Sequence, residues 1–110
     1  MKLPERLKIG GHEYDIIFPY AFKERTDILG QCDFDLKELR ISEIDGGGNI
    51  RVDSAILVTF IHEILHAIDF QTGEKIFNTN EGEKWIEGIS EGLYQVLNDN
   101  KLIFHETAQI

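Results

Sequence analysis

The stretch from Ala55 to Phe70 reads AILVTFIHEILHAIDF, and its reading decides the fold. On a helical wheel, at about 100° per residue, its apolar side chains surround nearly the whole circumference. A helix of that kind belongs in the middle of a core. His62, Glu63 and His66 interrupt the apolar run, and polar groups in such a setting are costly unless something compensates them. Asp53 or Ser54 offers this helix an N-cap, and Gly73 offers its C-terminal stop.

His62-Glu63-Ile64-Leu65-His66 is an H-E-x-x-H sequence. Residues i and i+4 lie on one helical face with Cβ atoms about 5–6 Å apart, so two imidazoles can grip one metal ion. Glu63 is turned by about 100° from His62, which sets it beside a metal rather than on it. That pattern suits zinc hydrolysis: Zn²⁺ lowers the pKa of a bound water to about 7, and the carboxylate takes its proton as the water attacks a polarised carbonyl. With 4 histidines and 12 glutamates in 110 residues, about 0.015 such matches are expected by chance. The competing reading makes His62 and His66 buried structural histidines bonded to backbone.

A catalytic zinc takes three protein ligands, so one more is needed. Metzincins would place glycine at position 69 and histidine at position 72, and this chain has Asp69 and Thr72. The alternative is a glutamate on a following helix, and Glu81, Glu83, Glu87 and Glu91 are the candidates. That helix is expected from Asn80 to about Asp99, with Ile86, Ile89, Leu93, Val96 and Leu97 forming one buried face. Asn80 and Glu83 resemble a capping box, which gives Glu83 a different task. Glu87 borders the buried stripe and is the expected third ligand. Glu83 ranks next and Glu91, turned further towards water, third.

Upstream, His12 to Phe18 (HEYDIIF) reads as a strand closed by Pro19. Tyr20 to Ile28 is ambiguous, with a short helical turn as one option. Gln31–Phe34 and Leu36–Ile41 read as a hairpin turning at Asp35-Leu36-Lys37. His12, next to Gly10-Gly11, is read as a turn residue. Asp45-Gly46-Gly47-Gly48-Asn49 lacks the lysine and helix start of a phosphate loop and reads as a plain connection between the strand half and the helical half. Neither half buries a core alone, so residues 1–110 are expected to form a single domain.

Composition narrows the function classes. Lys+Arg number 11 against 20 Asp+Glu, for a formal charge of −9. That balance argues against nucleic-acid binding and against docking on an anionic membrane. One cysteine, Cys32, cannot form an internal disulfide and reads as a small strand hydrophobe. Met1 to Gly11 holds no apolar run of signal-peptide length, and no stretch reaches the roughly 18 apolar residues of a membrane span. The expectation is a cytoplasmic protein. Asp69 is read either as a carboxylate that orients a ligand histidine or as a helix-end charge. Tyr94 and His105 could donate to an oxyanion, with packing as the commoner role.

HEILHAID followed by WIEGISEGLYQVLNDN resembles the small H-E-x-x-H proteins of phages and prophages, distant relatives of the ImmA/IrrE-type and SprT-like metallopeptidases. The resemblance implies a zincin fold with the gluzincin ligand arrangement, α+β, in which a small antiparallel sheet packs on the H-E-x-x-H helix and a C-terminal helix supplies the third ligand. In ImmA/IrrE-type proteins that ligand opens a Glu-x-x-Ala-Asn segment. Glu87-Gly88-Ile89-Ser90-Glu91 matches its glutamate and spacing but not its Ala-Asn pair. Gly30 to Ile41 looks like the strand pair that precedes the active helix. The function implied is a zinc-dependent peptidase acting on a protein or peptide substrate. A non-catalytic, zinc-stabilised interaction domain is the main alternative, and a metal-free acidic adaptor for a basic partner is a third.

Overall fold

The computed structural model describes residues 1–23, 25 and 27–102. The elements are β1 (Arg6–Ile9), β2 (His12–Ile17), β3 (Gly30–Asp33), β4 (Glu38–Ile41), α1 (Asp53–Thr72) and α2 (Asn80–Asp99). The fold is α+β. Among the described residues no helix is long and apolar enough to cross a membrane.

The sheet is mixed, in the order β1-β2-β4-β3, which corrects the expected antiparallel one. Two antiparallel hairpins, β1–β2 and β3–β4, join through a parallel pairing of β2 with β4. Strand alternation fixes which face a residue occupies but not strand direction, so Ile16 opposite Leu39 satisfies the core either way. In β1, four residues long, Leu7 and Ile9 face inward while Arg6 and Lys8 alternate outward; sequence reading had not singled it out. Gly10 and Gly11, at φ 59° and 84°, make the turn, and His12 is already in β2 opposite Ile9. The second hairpin turns where Asp33 Oδ1 accepts from the amides of Asp35 and Leu36, at 3.1 and 2.9 Å. Residues 18–29 form neither helix nor strand among those described.

Tyr14, Ile16, Leu39 and Ile41 of the sheet bury against Ile56, Leu57 and Phe60 of α1. α2 packs on the other side of α1, so α1 is central, as its all-round apolar surface requires. Its N-cap is Val52, ahead of the expected Asp53 or Ser54, and no side chain caps it. Asp53 instead lies in the first turn, where its charge favours the helix dipole. Buried Arg51 braces this end by donating to the carbonyls of Ser42 and Ala55 and to the Thr59 hydroxyl. Gly73, at φ 82°, closes the C-terminal end as expected.

α2 buries a narrower face than its sequence suggests. Ile86 and Ser90 are fully covered, yet Ile89, Leu93 and Val96 are 40%, 37% and 46% exposed. No described element lies over that side. Thr79 caps the helix, accepting from the Gly82 amide at 2.9 Å, in place of the expected Asn80. Thr79→Ala should therefore cost about 1 kcal/mol, a fall of roughly 4–8 °C in Tm for a domain of this size. Asn80→Ala should leave the thermal melt nearly unchanged; the reverse ranking would return the cap to Asn80.

Candidate metal centre

His62 and His66 project from one face of α1 with ring centroids 5.0 Å apart. They point at the first turns of α2, where the Glu83 carboxylate spans both rings. Glu83 Oε1 lies 3.3 Å from His62 Nε2, and Oε2 lies 2.8 Å from His66 Nε2. One ligand atom from each of the three residues falls within 4.8 Å of the other two, the single such group found among the described residues.

The chain places Glu83 there through α1's own C-terminal turn. Buried Asp69 accepts from the amides of Ile76 and Phe77 at 2.9 and 3.0 Å, folding residues 73–78 back along the helix. Asp69 thus orients a backbone loop rather than a histidine, which corrects one of its two expected roles. Gly82 then lets α2 start hard against that loop, since a Cβ there would come within 2.6 Å of Phe77 Cα. Ile86 anchors the first buried turn, and Glu83, three residues earlier, shares its face.

The carboxylate that meets the two imidazoles is accordingly Glu83's, not that of the expected Glu87. Sequence reading had given Glu83 to the cap, and Thr79 performs that task one residue earlier. A Ser/Thr-first ranking of the caps would have freed Glu83. Glu87 lies one turn further along and lines the same cleft, as Glu91 does after another turn. Glu81 faces away, beside Trp85 and Ile89.

Glu63 stays outside the ligand group, as its rotation around the helix predicts. It is 6% exposed and makes no hydrogen bond among the described residues. Its carboxylate rests against Gly30 of β3, where a Cβ would stand 2.8 Å from Oε2. Burial, seconded by the charge of Glu83, pushes its pKa up to about 8. A cation beside it acts in the opposite direction. His62 is held below the usual imidazole range by burial and then by His66, against the opposing pull of Glu83 and Glu87. Neutral imidazole is the form that ligates metal.

This donor set passes a chemical test for a metal. Two ring nitrogens and one carboxylate oxygen converge, and no lysine or arginine pairs with Glu83 among the described residues. The group opens on a cleft of about 620 Å³ between α2 and the Leu29-Gly30 edge of the sheet. Tyr94 packs, partly buried, against the core, and His105 lies outside the described residues. Burial drives the Cys32 thiol up to about 12, as for a small strand hydrophobe.

No family model matches the chain, and neither a curated protein nor a solved structure matches it. The chemistry of the group is open to direct measurement. Glu83→Ala should strip a divalent metal from the dialysed protein and abolish the rise in Tm that added metal produces. That rise corresponds to about 2.7 kcal/mol at a metal concentration a hundred times Kd. Glu87→Ala should retain the metal. Loss of metal from Glu87→Ala alone would hand the third position back to Glu87.

Proposed function

We propose that the protein is a zinc-dependent metallopeptidase of zincin type with a gluzincin ligand set, in which His62, His66 and Glu83 hold the metal. The observation that carries this reading is the meeting of both imidazoles on one carboxylate, with Glu63 close by but not among the ligands. A mixed set of two nitrogens and one oxygen with room for a further ligand suits catalytic Zn²⁺. Mg²⁺ and Ca²⁺ favour oxygen donors throughout. Zinc in this place would acidify water and polarise a carbonyl.

The remaining tasks fall to the chain itself. Glu63 accepts the proton of the attacking water and passes it to the leaving amine. Its burial, against a strand where glycine leaves room for the carboxylate, keeps it in one place. β1 and β3 are the two edge strands and β4 is enclosed between β2 and β3, so the edge beside the cleft is Gly30–Asp33. An extended peptide could add to that edge through main-chain hydrogen bonds and run along the cleft. The exposed apolar face of Trp85, Ile89 and Val96 on α2 favours the alternative, a zinc-stabilised interaction domain without catalysis.

Glu63→Gln separates the two. Glutamine keeps the size of the side chain but accepts no proton at neutral pH. For a peptidase, the variant should keep its zinc and its melting temperature and lose at least about a hundredfold in cleavage of an unfolded protein. Equal cleavage by both proteins would remove Glu63 from the role of base. Absence of cleavage by either, with zinc bound, would favour the interaction domain.

A further inference from the structure

α2 carries three carboxylates in one column. Glu83, Glu87 and Glu91 follow at i, i+4 and i+8, about 6 Å of rise apart, and all three line the cleft. Like charges at this spacing destabilise a helix unless a cation answers them. Glu83 is answered by the two imidazoles. Glu87, whose charge reaches His62, and Glu91 have no ion-pair partner within 4.0 Å among the described residues. The one cation of the lining, Lys84, pairs with neither, and Asp27 on the opposite rim is already paired with Arg25 at 2.8 Å. The buried Glu63 carboxylate, without a hydrogen-bond partner among the described residues, opens into the same space.

The facing wall is of a different character. Leu29, Gly30, Val58 and Thr59 carry no charge. A long side chain with an aliphatic stem and a cationic tip matches both walls, stem against Leu29 and Val58, tip against the carboxylates. We propose that the cleft recognises a basic residue of an extended peptide, with a lysine or arginine side chain held between Glu87 and Glu91. This assignment rests on the metallopeptidase reading, which lays a peptide along the cleft. It makes the preferred substrate a basic segment, and it sets an acidic residue at the same place at a disadvantage.

The test uses the purified protein with one equivalent of zinc and two labelled unstructured peptides that differ only in a central lysine or glutamine. Fluorescence anisotropy should show the lysine peptide binding about fivefold tighter, in the range of a well-placed exposed ion pair. Glu87→Gln combined with Glu91→Gln should abolish the preference. Glu81→Gln combined with Asp99→Asn makes the same change of charge outside the cleft and should leave it intact. Glu87→Lys combined with Glu91→Lys should turn the preference towards a glutamate peptide. Equal binding of the two peptides overturns the proposal. So does a loss of preference in the Glu81/Asp99 variant as large as that in the Glu87/Glu91 variant, since net charge would then be the cause. Cleavage is followed in parallel: a lysine preference without cleavage upholds this site and overturns the peptidase reading, and cleavage without preference does the reverse.

Discussion

The grip of the Asp69 carboxylate on the amides of Ile76 and Phe77 sets where the second helix begins, and the site depends on that start. A shift of one residue in the start of α2 would rotate every side chain on it by about 100°. Glu83 would then leave the two imidazoles, and Ile86 would leave the core. Three local features hold the start in place: the buried carboxylate of Asp69, the hydroxyl cap of Thr79 and the missing side chain of Gly82. Their hydrogen bonds go to backbone amides and not to the histidines. The geometry of the centre is therefore a property of the connection between the helices as much as of the H-E-x-x-H turn.

Electrostatics ties the two walls of the cleft together. Five carboxylates, those of Asp27, Glu63, Glu83, Glu87 and Glu91, line it with a single lysine, and of the five Asp27 is the one paired with an arginine. Burial already disfavours the charge on Glu63, and Glu83 disfavours it further. Such an arrangement is costly in the absence of cations and favourable in their presence. A metal between the histidines and Glu83 would relieve the repulsion at one end, and a basic side chain would relieve it at the other. The strain of like charges is concentrated where ligands would sit, while elsewhere the buried charges of Arg51 and Asp69 are hydrogen-bonded to backbone.

The sheet supports α1 and borders the site at Gly30. Its parallel centre, β2 with β4, contributes Tyr14, Ile16, Leu39 and Ile41 to the core shared with α1, and β3 is an edge strand beside Glu63. Gly30 stands where that edge meets the helix, and a larger residue would displace the Glu63 carboxylate. Arg51 braces the opposite end of α1 through backbone carbonyls. The helix is thus held at both ends by polar contacts and along its length by packing.

Much of this was legible in the residues. Apolar periodicity located α1 and α2 within a residue or two, because a helix must bury a stripe at its own period. The i, i+4 histidines belong together on any helix, and the rotation of Glu63 away from them follows from the same geometry. The central place of α1 followed from its all-round apolar surface. Other features were not local and only the tertiary structure decided them. The direction of β4 against β2 follows from the place of β3 at the far edge, from which the chain turns back as β4, and strand alternation is blind to direction. The coverage of Ile89, Leu93 and Val96 depends on whether an element lies over them, which a helical wheel cannot register. The choice of Glu83 over Glu87 turned on the packing of residues 69–82, where a buried aspartate, a threonine and a glycine set the phase of the helix. Sequence periodicity fixes which residues share a face, and only contacts between elements fix what that face meets.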